Sequence, residues 1–286
     1  MSTQKSKIKN PRLARRTRAS ILAEALICKA CGWDIEFLSG GYGSYTINEL
    51  VELTKQIHQI TNQKQWLNIG TLSKSELQKF NPYIKGVCGA VECINPKLHD
   101  ELCPSKPVSE ITKMFKTCNQ LNLKKSMTII VGLGETKTDI PSLIDFIKKH
   151  NISRITFYSL NPHPETIFKS SPNINYYATW IKETRKAFPK LEIIAGLWVD
   201  KVQQFSQLIK AGANHITKFP SIKLFSSKQA KEMENQVKLA KKTFQGTLTR
   251  LPRVNWDKEI DVLSFNNELK QQIKVKLYQY LKTMIK

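Results

Sequence analysis

Four short segments carry residue types that could hold a polar ligand. They are Phe37-Leu-Ser39-Gly40-Gly41-Tyr42-Gly, Ala90-Val-Glu92-Cys-Ile-Asn-Pro, Ile130-Val131-Gly132-Leu-Gly-Glu135-Thr and Tyr158-Ser-Leu160-Asn161-Pro-His-Pro-Glu-Thr. A glycine has no Cβ, so its N–H can approach a ligand closely. The same residue also serves a turn that needs positive φ, and both readings stay open. Glu92 and Glu135 each stand just past an apolar run, either as ligand-binding carboxylates or, for Glu92, as hydrogen-bonded structure and, for Glu135, as a cap of the next helix. His163, between two prolines, reads as a rigid-loop residue rather than a base. Cys28-x-x-Cys31 falls inside a helical pattern with no second pair, so packed core thiols fit better than a zinc or cluster site. No phosphate-binding Gly-Lys loop, zinc-protease helix or nucleophile elbow is present.

The elements that must position these segments alternate regularly. Strand-like runs occupy residues 34–38, 65–69, 85–91, 127–131, 154–159, 192–197 and 215–219, each followed by an amphipathic stretch, and a further such stretch, 14–33, comes before the first. Parallel strands need helical crossovers, so the ladder predicts a TIM-type (β/α)8 barrel. The series begins with a helix, which leaves seven strands and no first strand. All four segments sit at the ends of strands, the end at which such barrels carry their sites. Thr46 and Glu49 have the spacing of a capping box, opening a helix that runs to about Thr61. The stretch with Pro96, Pro104 and Pro107 reads as a long connection, and charged helices near 227–244 and 267–285 follow the last strand. The expected organisation is an incomplete barrel over 1–225 and a C-terminal helical extension over 226–286.

At 286 residues and 41% apolar content the chain can bury a full core. No apolar run approaches the roughly 18 residues of a membrane span. The formal charge is +22, from 45 Lys+Arg against 23 Asp+Glu, and residues 1–20 hold seven basic side chains and no acid. This is either an arm that grips phosphates or a solvated basic face. No nucleic-acid-binding signature accompanies it, so a nucleic-acid partner is not expected. Six scattered cysteines without disulfide spacing, and no signal peptide, predict a reducing, cytoplasmic setting.

Over residues 10–220 the order of the four segments resembles the radical S-adenosylmethionine superfamily, in particular its biotin-synthase-like branch. The resemblance implies S-adenosylmethionine as cofactor and a small-molecule substrate in cofactor biosynthesis, either sulfur insertion or assembly of a hydrogenase cofactor. It implies that Ser39, Gly40 and Gly41 meet the methionyl amine, with Tyr42 where the family usually has an acid, and that Glu92 meets the ribose hydroxyls. Val131, Gly132, Glu135, Leu160 and Asn161 would border the adenine. The family also holds a [4Fe-4S] cluster on three cysteines after the first strand, and a 5′-deoxyadenosyl radical follows its reduction of the cofactor. No such triad occurs in these residues. The cluster is therefore expected only in a more complete version of the chain, with Met1 read as an internal methionine, and the polypeptide as given is not expected to cleave the cofactor alone. Unpaired edges at 34–38 and 215–219 would make it oligomeric or poorly soluble, or open it to a partner chain supplying the missing strand. The other reading is a non-catalytic barrel paralogue whose basic surface binds RNA or an anionic partner.

Overall fold

The computed structural model describes residues 15–40, 45–164 and 166–285. Seven parallel strands form one sheet whose spatial order is the chain order: β1 Leu38–Ser39, β2 Gln65–Asn68, β3 Ile84–Glu92, β4 Lys124–Val131, β5 Arg154–Ser159, β6 Glu192–Gly196 and β7 His215–Thr217. β1 and β7 do not pair, so among the described residues the sheet is an open half-barrel rather than a closed ring.

The middle of the sheet is the well-built part. β4 pairs with β5 over six consecutive positions, from Ser126↔Arg154 to Val131↔Ser159. Met127, Ile129 and Val131 are almost fully buried. Gly86 allows β3 to lie against β4, since a Cβ there would come 2.1 Å from the Lys124 carbonyl oxygen.

The helices begin where their sequences say they should. In α2, Ile47–Thr61, Thr46 Oγ1 accepts from Glu49 N at 3.2 Å and Glu49 Oε2 accepts from Thr46 N at 2.7 Å. Ser73 and Glu76 repeat the box at the head of α3, Lys74–Phe80. After β3 the chain forms α4, Pro96–Leu102, where the prolines had suggested only a connection. Asn95 caps it and Pro96 takes the first helical position, where its missing N–H costs nothing. The crossovers α5 Val108–Gln120, α6 Ile140–His150 and α7 Ile174–Ala187 follow, and α8 Phe205–Ala211 is preceded by a 3₁₀ stretch, Val199–Gln204.

The first helix, α1 Arg18–Cys31, packs against the last. The C-terminal helices are α9 Lys228–Leu239, α10 Trp256–Asp261 and α11 Asn267–Met284. Ile273 and Leu277 of α11 are fully buried, and the Ser20 and Tyr280 hydroxyls meet at 2.7 Å. Gly246 lets the C-terminal segment touch the end of α1; a Cβ would sit 2.5 Å from the Cys31 carbonyl oxygen. The extension therefore shares its core with α1. No helix of the described residues is long and apolar enough to cross a membrane.

The seam between β1 and β7 is closed by side chains instead of a ladder. A strand run was expected over 34–38, but only Leu38 and Ser39 pair, with Leu67 and Asn68 of β2. Among the described residues no strand stands on the other side of residues 34–37 to hydrogen-bond. Glu36 instead turns across the seam, accepting from the Tyr158 hydroxyl at 2.7 Å and from the Thr217 hydroxyl, while its carbonyl accepts from Arg154 Nη1 at 3.0 Å.

Candidate functional site

The strand ends bring most of the sequence-predicted residues to one face, the C-terminal rim of the half-barrel. Ser39 closes β1 and is exposed, and Gly40 N donates to Asn68 O at 3.3 Å. Gly41 and Tyr42 lie outside the described residues. Glu92 ends β3 with φ +62, a left-handed backbone that is uncommon for a residue with a Cβ. One carboxylate oxygen accepts from the Thr128 hydroxyl at 3.3 Å and the other lies 3.5 Å from Lys106 Nζ. Buried His99 sets Lys106 in place, because its ring nitrogens lie 2.9 Å and 2.8 Å from the Val91 and Lys106 carbonyl oxygens.

The loop after β4 uses its carboxylate internally. Glu135 is buried and accepts from Gly132 N at 2.7 Å and Leu133 N at 2.8 Å, while the Tyr176 hydroxyl donates to its backbone carbonyl at 2.7 Å. Its charge is thus spent on shaping the loop. Val131 points into the core, and its carbonyl accepts from Leu160 N at 2.9 Å. Gly132 lies flush with the next loop, since a Cβ there would come 3.1 Å from Leu160 Cβ and 2.9 Å from Pro172 Cδ. Gly132 follows β4, the strand next to the one that Glu92 ends, and Leu160 follows β5. Asn161 is exposed next to it.

Sequence reasoning missed several residues that the fold brings to the same interior. Arg154, Thr156 and Tyr158 occupy alternate positions of β5, a polar alternation within the strand. That alternation was the available signal. Tyr158, Gly196 and Thr217 form one row across β5, β6 and β7. Gly196 has no side chain, which leaves room for the Tyr158 ring; a Cβ there would sit 2.4 Å from Tyr158 Cδ1. Tyr177 fixes Gly196 from outside, accepting from its N–H at 3.1 Å and donating to Phe157 O at 2.7 Å. Burial and the Glu36 carboxylate push the Tyr158 phenol well above the usual tyrosine range. Above this row stand Trp198, just past β6, and Lys218, just past β7.

The opposite end of the strands carries a separate ionic cluster. Glu192 Oε1 lies 3.2 Å from Arg154 Nε and 3.2 Å from His215 Nε2, and His215 Nδ1 is 3.7 Å from Asp34. The Arg154–Glu192 contact has the distance of an ion pair but not the angle of a hydrogen bond. Burial alone would raise the Glu192 carboxyl; His215 and Arg154 outweigh it and hold the group below its ordinary value. Arg154 also stacks between Phe37 and Trp66, at 5.6 and 5.2 Å from the ring centroids. Residues at this end of a barrel serve stability.

The cysteines do not fit an iron–sulfur cluster. Among the described residues no three of His, Cys, Asp and Glu stand close enough to hold a metal ion. Cys28, Cys31, Cys88, Cys93 and Cys118 are buried, and none of the six is paired. Burial pushes the Cys31, Cys93 and Cys118 thiols up to about 11, so they are protonated at neutral pH.

Across its whole length the chain is 38% identical, over 303 aligned residues, to the uncharacterized protein MJ0597 of Methanocaldococcus jannaschii, covering 84% of that protein. The chain belongs to the MJ0597 family. A second uncharacterized protein of the same organism, MJ0785, is 24% identical over 184 residues, covering 63% of the chain and 49% of that protein. No family model matches the chain. Among solved structures, methylornithine synthase (PylB) superposes with TM-score 0.64 at 15% identity, over 84% of this chain and 74% of that one. The FeFe-hydrogenase maturase HydG from Carboxydothermus hydrogenoformans gives 0.58 at 12% identity, over 94% and 71%. This member of the MJ0597 family therefore shares the parallel α/β barrel fold of those two enzymes.

Proposed function

We propose that the chain is the S-adenosylmethionine-binding barrel of a radical S-adenosylmethionine enzyme of the biotin-synthase-like branch, working in cofactor biosynthesis in the cytoplasm. The observation that carries the reading is Glu92. It stands at the end of β3 on a left-handed backbone, one strand over from the close-packed Gly132 that follows β4. Such backbone strain persists at ligand clamps, where the surroundings over-determine it. A carboxylate accepts from two vicinal hydroxyls, as a ribose offers, and the glycine and aliphatic carbons at the ends of β4 and β5 suit a purine ring. Gly40, Gly132, Leu160 and Asn161 would then line the nucleoside, with Ser39 and the 41–44 loop nearest the methionyl end. Val131 and Glu135 shape that wall from behind. The two structural neighbours, a synthase and a maturase, support the biosynthetic setting.

A bound cluster would supply the electron for radical formation, but the cysteines of this chain do not fit one, and no redox step is assigned to its residues. The triad would have to come from outside these 286 residues, on the same polypeptide or on a partner that also pairs with the open edge of β1 or β7. A free sheet edge is a ready template for such strand addition. The test is equilibrium dialysis of radiolabelled S-adenosylmethionine against the chain. Saturable binding that Glu92→Gln weakens about tenfold, the cost of one charged hydrogen bond, supports the reading. Absence of binding, or binding indifferent to the substitution, refutes it. The misfit of the cysteines and the excess of basic residues favour a second reading, a non-catalytic paralogue that holds RNA or another anionic partner. Retention of a polyanion without S-adenosylmethionine binding would select it.

A further inference from the structure

Among the described residues seven non-glycine residues have positive φ, and they divide by position. Asn62 and Asn151 cap helices, Asn122 and Lys241 fall just past helix ends, and Ser226 precedes a capping serine. Left-handed residues are ordinary at helix ends. Glu92 and Lys218 instead come at strand ends, on the rim that carries the site. Glu92 has a role in the proposed cofactor site. Lys218, at φ +69, has none.

Its surroundings indicate one. The Lys218 ammonium lies 4.4 Å from the centroid of Tyr158 and 5.9 Å from that of Trp198. Both rings are held from below or beside: Tyr158 by its hydrogen bond to Glu36 and by the space over Gly196, Trp198 by its place between β6 and the 3₁₀ stretch. Among the described residues no carboxylate pairs with Lys218 and no acceptor takes its N–H groups. Glu36, whose carboxylate meets this row, is occupied by Tyr158 and Thr217. Three ammonium donors are thus presented at the rim over an aromatic floor. A contact of this kind made by an exposed ammonium is worth only about 0.5–1 kcal/mol, so it positions the charge without consuming it. An ammonium with free donors binds oxyanions, and flat rings beside it favour a planar or apolar body.

We propose that Lys218, Tyr158 and Trp198 form the substrate subsite of this rim, taking the carboxylate or phosphate of a small organic anion. The inference rests on the strand-end rim being the ligand site, but not on which cofactor occupies the ends of β1, β3, β4 and β5. The subsite covers the ends of β6 and β7, which the cofactor reading leaves unassigned. Lys218 and Glu92, opposite in charge, then act on different ligands.

The test uses fluorine NMR on the full chain with three probes: 4-fluorobenzoate, 4-fluorophenyl phosphate and neutral 4-fluorobenzyl alcohol. At least one anion should bind about tenfold more tightly than the alcohol. Lys218→Met should remove that advantage, and Lys218→Arg, which keeps the charge, should largely restore it. Lys218 is exposed, so both variants should melt as the unaltered chain does. Preference for the benzoate assigns a carboxylate substrate, and preference for the phosphate a phosphoryl one. The proposal is overturned if neither anion binds, if the alcohol binds as well, or if Lys218→Met binds the anion unchanged. Dialysis of S-adenosylmethionine against Lys218→Met separates the two readings, because loss of the anion with the nucleoside retained concerns this subsite alone.

Discussion

The centre of the sheet and its seam are held by different physics. β3, β4 and β5 share long ladders and bury alternate apolar residues under helices. β1 pairs with β2 over two positions and β7 with β6 over three, and the open sides of β1 and β7 meet through Glu36, Tyr158, Thr217 and, lower down, Asp34 and His215. A ladder repeats, so removing one contact leaves many. A side-chain clasp depends on single residues, so each is decisive. The site spans both regimes: the proposed nucleoside wall stands mostly on the rigid centre, the proposed anion subsite on the clasped edge.

That contrast can be broken from either side. The largest effect is expected from Gly86→Ala, whose new methyl would meet a backbone oxygen of the paired strand that cannot move aside. Urea denaturation should show a loss of about 3 kcal/mol, at the upper end for overpacking. An unchanged midpoint would mean the centre is not close-packed there. Glu36→Ala should cost less, about 1–3 kcal/mol, because it strands the Tyr158 and Thr217 hydroxyls. Hydrogen exchange in that variant should rise at β1 and β7 while β4 stays protected, and uniform acceleration would argue against a separate seam.

A smaller effect sharpens the lower part of the clasp. The folded Glu192 carboxyl lies below its ordinary 4.5, so its contribution is present above that value and is lost as pH falls through the lower folded value. The melting difference between Glu192→Gln and the unaltered chain should hold from pH 7 to about 5 and shrink below 4.5. A difference that grows on acidification would reverse the sign of the account. The smallest effect concerns thiols. Cys103 is half-buried and Cys88 sits within β3, its thiol driven well above the usual range by burial. Native labelling with a disulfide reagent should modify Cys103 first and Cys88 only on unfolding.

The same contrast explains what the sequence could show. The strand at Arg154–Ser159 and the helices Ile47–Thr61 and Ile140–His150 stand where periodicity and capping residues put them. Those signals are local. Residues 34–37 have the composition of a strand, yet pairing is a property of neighbours, and no neighbour stands on their far side. The shortening of β7 has a similar cause: His215–Phe219 looks continuous, but Lys218 turns left-handed. Helix α4 was hidden because prolines signal breaks as well as first turns. In the site, Glu92 was legible as a strand-end acid. Glu36, Tyr158 and Lys218 were not, since a row across three strands and a seam has no trace in sequence spacing.

The central claim is that the strand-end rim binds S-adenosylmethionine. Hydrogen exchange with and without the compound tests it most directly. The account predicts slower exchange in peptides ending β1, β3, β4 and β5, around Gly40, Glu92, Gly132 and Leu160, with no change around Glu192 and His215 at the opposite end. Unaltered exchange at those four strand ends under saturating ligand, or protection confined to the outer face of α2, would contradict it.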